Sequence, residues 1–152
     1  MNTQIIRPPA FQKPSGRLNL SAEQSNLVSS VGTLVNLDVI PAVFTDGIEN
    51  IVTHRITPGR AGFYSIVGMV RFIGTVDCTA YNCSIKVSGV EVCDNQNQAG
   101  ESGSLSTLCV LPNFYLSASD YVELWATSFA GGDTVDIDST NERTYLALQR
   151  VR

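Results

Sequence analysis

The chain has 152 residues, 43% of them hydrophobic and 16% charged, with a formal net charge of −4 and one histidine. That composition excludes a disordered chain, and at this length a single domain is expected. No apolar run approaches the roughly 20 residues of a membrane-spanning helix, residues 1–11 hold no signal-peptide core, one histidine cannot build a multi-histidine metal site, and there is no concentrated basic face for nucleic acid.

Charge is unevenly spread from the start. Arg7, Lys13 and Arg17 precede the first acid, Glu23, which leaves seven cations against fourteen carboxylates in the rest of the chain. Pro8-Pro9, Pro14 and Ser15-Gly16 interrupt helix and strand propagation and favour extended backbone. Residues 1–30 are therefore read as an extended basic arm and residues 31–152 as the folded domain. On the arm, Ile5, Ile6, Arg7, Phe11, Lys13 and Arg17 are the side chains expected to lie on a partner surface. A frayed terminus would have the same composition. Within 20–30 a turn or two of helix is conceivable, weakened by Ser and Asn.

Beyond residue 30 the pattern has period two or consists of short apolar runs. Strands are predicted at 33–40, 51–56, 62–72, 83–87, 90–93, 105–111, 121–129 and 144–151. The breaks are Pro41, Asp46-Gly47, Pro58-Gly59, Ser88-Gly89, residues 94–103, Pro112-Asn113 and Gly131-Gly132. Eight strands without a competing helix predict an all-β, jelly-roll β-sandwich of two sheets.

The strands differ in how many faces need cover. A hairpin about Ser88-Gly89 would pair Val87 with Val90, Lys86 with Glu91 and Ile85 with Val92, turning Ile85, Val87, Val90 and Val92 inward. In that register Cys83 and Cys93 face apart, while a bridge from Cys78 to Cys83 across 79–82 stays open. The four cysteines match no zinc spacing, and free, mostly buried thiols are the default.

On 62–72, by contrast, Tyr64, Ile66, Val70 and Phe72 occupy one face and Phe63, Val67 and Met69 the other. On 144–151, Leu146 and Leu148 oppose Tyr145, Ala147 and Val151, and 105–111 is also apolar on both sides. A strand apolar on both faces is covered on both. Each large side chain left exposed would forgo roughly 1.5–3 kcal/mol. Without helices, a second chain is the expected cover, with Phe63, Val67, Met69, Tyr145, Ala147 and Val151 at the interface. Bulges that mix the two faces are the competing explanation.

Chemistry-bearing residues are few. His54 lacks a Gly-x-Ser-x-Gly elbow and is expected to be structural, so no catalytic residue and no enzymatic activity are predicted. Asp133, Asp136 and Asp138 follow a Gly pair and are candidate calcium ligands, although EF-hand spacing is absent and a solvated acidic loop explains them as well. No cofactor is expected. Residues 94–103 are amide-rich and offer a sugar- or receptor-contacting tip, or a plain surface loop. Tyr121, Trp125 and Phe129 share a strand face and are read as packing, in the core or between subunits.

Four segments, in order, resemble C1q-like domains of the C1q/tumour-necrosis-factor superfamily. Residues 55–72 (RITPGRAGFYSIVGMVRF) carry a Pro turn at Pro58 followed by Gly62-Phe63-Tyr64. Residues 83–92 (CSIKVSGVEV) look like the short hairpin, with Ser88-Gly89 for the usual Asn-Gly. Residues 116–124 (LSASDYVEL) resemble the later strand, with Ser119 for the usual Gly, and 144–151 look like the closing strand. The resemblance spans 31–152. It implies a jelly roll assembled as a homotrimer, with the first, third and last strands near the three-fold axis, and calcium near the apex in some members. Ile56 stands where an aromatic is usual and Gly68 where an apolar residue is usual, and no collagen stalk or transmembrane anchor accompanies the domain. C1q-like modules also occur in bacterial and bacteriophage fibre tips and particle decorations. The expectation is a non-enzymatic homotrimeric virion protein, made in the host cytoplasm. It would decorate or cement a bacteriophage capsid by docking its arm on the major capsid protein or another virion protein, without contacting nucleic acid or membrane. A receptor- or glycan-binding head of a phage fibre or adhesin is the alternative.

Overall fold

A computed structural model describes residues 15–41, 48–74, 78–98, 104–131 and 134–151. In chain order the strands are β1 (Ser15–Asn19), β2 (Gln24–Leu27), β3 (Thr33–Leu34), β4 (Glu49–Asn50), β5 (Arg55–Ile56), β6 (Gly62–Ile73), β7 (Cys78–Val87), β8 (Val90–Gln98), β9 (Ser104–Leu116), β10 (Val122–Ala130), β11 (Val135–Ile137) and β12 (Tyr145–Arg150). A short 3-10 turn at Thr140–Glu142 is the one helical element among the described residues. The strands form two antiparallel sheets. Sheet 1 runs β1-β12-β6-β11-β2 with β9 paired to β6, and sheet 2 runs β4-β5-β10-β7-β8 with β3 paired to β10. Because β12 and β11 divide one edge of β6 between residues 64–69 and 72–73, β9 takes the whole opposite edge.

This is the jelly-roll sandwich read from the sequence, and its interior follows from the alternation. Tyr64, Ile66, Phe72, Leu146 and Leu148 of sheet 1 meet Tyr81, Ile85 and Leu124 of sheet 2, each at most 1% exposed. Phe72 stacks on Tyr81 with ring centroids 4.7 Å apart. Gly68 breaks the apolar run of β6 for a packing reason. A Cβ there would lie 2.5 Å from Leu124 Cδ1 and 3.3 Å from Ile85 Cγ1, so the opposite sheet already fills the space.

Several boundaries differ from the sequence reading. The folded domain includes residues 15–30, which were assigned to the arm. Ser15 to Asn19 pair with Gln149 to Tyr145, and β2 pairs with β11. Leu18, Leu20 and Leu27 are buried, but polar Asn, Ser, Gln and Glu neighbours dilute that short alternation, so neither the strands nor the absence of a helix was legible. Of the strand expected at 51–56 only Arg55–Ile56 forms, as β5; residues 51–54 are the turn that joins it to β4, with Asn50 Oδ1 accepting from the Val52 and Thr53 amides at 3.0 Å each. Pro112-Asn113 does not end a strand. β9 runs through it as a bulge, with Tyr64 opposite Phe114, Ile66 opposite Leu111, and Asn113 at φ +59°.

The hairpin turns at Ser88 (φ +49°) and Gly89 (φ +83°) as the sequence requires, and Val87–Val90 and Lys86–Glu91 pair. A bulge between Ile85 and Lys86 then sets Ile85 opposite Cys93 rather than Val92. Val90 is 65% exposed rather than inward, and Cys93 turns against the core. Residues 79–82 are strand, so Cys78 and Cys83 lie about 16 Å apart along β7 and cannot bridge. All four thiols are free.

Candidate functional site

The outer face of sheet 1 holds the feature that needs a function. Register places Arg17, Ala147, Val67 and Val110 in one row across the sheet, and Asn19, Tyr145, Met69 and Leu108 in the next. At one end Phe63 and Tyr115 meet edge to face, centroids 5.4 Å apart, and the Val151 amide donates to the Phe63 carbonyl at 2.7 Å. The six residues predicted for an interface, Phe63, Val67, Met69, Tyr145, Ala147 and Val151, therefore share one continuous surface. The alternation of β6 and β12 determines that placement, because their inward partners fill the core. Leu108 (43% exposed), Val110 (47%) and Tyr115 (55%) extend the patch. They were not singled out, although the two-sided pattern of 105–111 carried the signal for the first two; the bulge at Pro112-Asn113 hid the third.

Near β1 the small side chains of Ser15, Ser65 and Ala147 leave a shallow hollow of about 260 Å³ in this face, bounded by Val67 and Gln149. Charge stays at the rim. The Arg17 guanidinium lies 4.3 Å over the Tyr145 ring, donates to Asn19 Oδ1 at 2.8 Å, and stands 3.8 Å from the Glu142 carboxylate. Arg17, predicted as an arm contact, is thus engaged within the domain itself. Ile5, Ile6, Arg7, Phe11 and Lys13 lie outside the described residues. At the far rim Arg71 Nε and Asp138 Oδ2 form a 2.7 Å ion pair. Burial alone would raise the Asp138 carboxyl pKa. The Thr140 hydroxyl and amide, together with Arg71, outweigh it and hold the carboxyl below the ordinary Asp range.

Of the three calcium candidates the two described ones are already engaged by groups of the fold. Asp138 is committed as described, Asp136 Oδ1 accepts the Asn26 amide at 2.8 Å, and Asp133 lies outside the described residues. No group of three or more metal-capable side chains occurs among the described residues. His54 sits in the turn before β5 at φ +57°, with Nδ1 2.9 Å from the Leu37 carbonyl, a structural position.

The outer face of sheet 2 is different in kind. Glu123, only 4% exposed, accepts from Arg55 Nε at 2.8 Å and from Trp125 Nε1 at 3.2 Å. The Arg55 guanidinium covers the Tyr121 ring at 4.1 Å and the Lys86 ammonium covers Trp125 at 3.6 Å. Tyr121 and Trp125, expected as packing in the core or between subunits, lie on this outer surface rather than in the core, each beneath a cation. Along the flank, residues 94–98 extend β8 rather than forming a loop. Asn95 Nδ2 donates to the Leu108 carbonyl at 2.8 Å and Asn97 Nδ2 to Thr107 Oγ1 at 3.4 Å, so these amides fasten β8 to β9; residues 99–103 lie outside the described residues.

The architecture is that of a C1q/TNF-like jelly roll. It is similar to the structure of Eiger TNF from S. frugiperda, with TM-score 0.61 at 9% identity over 93% of this chain and 94% of that one. It is also similar to the globular domain of zebrafish complement 1qA protein, with TM-score 0.57 at 17% identity over 93% of this chain and 98% of that one. At these identities the likeness is one of fold. Neither a protein-family model nor a curated protein sequence matches the chain.

Proposed function

We propose that the protein is a non-enzymatic homotrimeric head and that the outer face of sheet 1 is where its copies meet. The observation that carries this reading is the apolar row of Val67, Ala147 and Val110, continued by Met69, Tyr145 and Leu108, on a sheet whose other face already fills the core. Contiguous apolar surface on a sheet face is a usual mark of an association surface. Cyclic three-fold closure requires unlike patches to meet, and this face offers both: protruding Leu108, Val110 and Tyr115 on β9, and the hollow beside β1.

On this reading the trimer is a virion component that decorates or cements a bacteriophage capsid. Residues 1–14, with Ile5, Ile6, Arg7, Phe11 and Lys13, would supply the docking arm. Three arms on one trimer convert weak single contacts into avid attachment. Arg17 is left out of that arm because its guanidinium is already engaged with Tyr145 and Asn19.

Deleting residues 2–14, which spares β1, tests the arm. The truncated protein should remain trimeric by sedimentation while co-sedimentation with purified virions falls at least tenfold. Unchanged particle binding would overturn the docking role, and a monomeric full-length protein at micromolar concentration would overturn the trimer.

A further inference from the structure

The bulge in β7–β8 has a chemical consequence. It packs Cys93 against the core, and the seam bonds of Asn97 to Thr107 and Asn95 to Leu108 run β8 antiparallel along β9, a register that brings the Cys93 side chain beside Cys109 and the Val110 amide. Cys109 is 1% exposed and donates to the Cys83 carbonyl at 2.9 Å, while Cys93 is partly exposed. β8 and β9 are edge strands of opposite sheets, and the Asn95 side chain already bonds the Leu108 carbonyl across that seam at 2.8 Å. Among the described residues the hydrogen bonds across the seam come from side chains, and there one partly exposed thiol lies beside one buried thiol. That asymmetry suits a two-step oxidation, in which the accessible sulfur reacts first and the sheltered one resolves it.

We propose that Cys93 and Cys109 are a latent redox pair, and that an oxidant of the hydroperoxide class converts them into a disulfide clipping sheet 2 to sheet 1. The Cys93 sulfur attacks the outer peroxide oxygen, the O–O bond breaks, and an alcohol or water departs, leaving a sulfenic acid. The Cys109 sulfur then attacks the sulfenic sulfur. The S–S bond forms as the S–O bond breaks, and the hydroxyl leaves as water with the thiol proton. Two thiols lose two electrons in total and one peroxide is reduced.

Burial, then the neighbouring thiol of Cys109 and the charge of Asp94, raise the Cys93 thiol pKa; the Cys83 neighbourhood and burial raise that of Cys109. Little thiolate is present at neutral pH, so the reaction should be slow there and accelerate as pH rises. The inference stands on the single-chain fold and does not require the trimer.

The test treats the full-length protein with hydrogen peroxide at pH 8 and maps thiols by non-reducing peptide mass spectrometry. The expected product is an intrachain Cys93–Cys109 peptide pair, with Cys78 and Cys83 still alkylatable, and a Tm raised by roughly 5–10 °C that reducing agent reverses. Cys93→Ser should lose both the linkage and the Tm gain while folding normally. Over-oxidation confined to Cys93, a Cys83–Cys109 or interchain linkage, or a Tm gain that persists in Cys93→Ser would each overturn the proposal.

Discussion

The two outer faces of the sandwich treat their large side chains in opposite ways. On sheet 2, Trp125 and Tyr121 each lie beneath a cation, and the nearly buried Glu123 collects hydrogen bonds from Arg55 and Trp125. That surface is satisfied by groups from its own chain. On sheet 1, Val67, Met69, Leu108 and Val110 are aliphatic, and among the described residues charge gathers at the rims as Arg17 over Tyr145 and Arg71 with Asp138. Aromatic rings offer a quadrupole that holds a cation, whereas aliphatic side chains offer only area. A face made of area is completed by another apolar surface, so the two sheets differ in what can finish them.

Substitutions can break that contrast, and the largest effect is expected at the centre of the sheet 1 face. Val67→Glu places an unpaired carboxylate between Ala147 and Val110, which should weaken assembly at least about 100-fold, equivalent to roughly 3 kcal/mol per subunit. Sedimentation at micromolar concentration should show monomers with an unchanged β circular-dichroism spectrum. Persistence of the wild-type oligomer would move the interface elsewhere.

A smaller effect, of another type, is expected on sheet 2. Glu123→Gln removes the charge that organises Arg55 and Trp125. Arg55 is 36% exposed, so the loss should be about 1–2 kcal/mol, read as a Tm drop of a few degrees with the oligomer intact. Dissociation of the Glu123→Gln protein would erase the distinction between the two faces.

The smallest effect concerns the rim. Because Asp138 has a lower pKa folded than unfolded, its contribution is present above the unfolded carboxylate value near 4 and is lost as pH falls through the folded value. Asp138→Asn should therefore flatten part of the acid limb of a stability-against-pH curve measured below about pH 4. An identical limb in both proteins would show that Arg71 and Thr140 do not favour the ionised form.

How much was legible follows the same physics. The face of Phe63, Val67, Met69, Tyr145 and Ala147 could be read from period-two spacing, because β6 and β12 are long enough for alternation to stand out. β1, β2 and β11 could not, since each has five residues or fewer and polar neighbours blur the pattern. The bulges at Ile85/Lys86 and around Asn113 were also hidden. Each adds a residue to one strand, and nothing local to the sequence says which side chains then change face. That hidden step turned Cys93 inward and left Tyr115 outside.

The sequence by itself determined an all-β chain whose central and closing strands are apolar on two sides, because side-chain direction alternates with every residue wherever backbone is extended. Tertiary structure alone decided that residues 15–27 belong to the sheet, that Gly68 makes room for Leu124, and that Cys93 meets Cys109. Those outcomes depend on which strand lies opposite and on where a ladder slips, and both are decided by segments far apart in the chain.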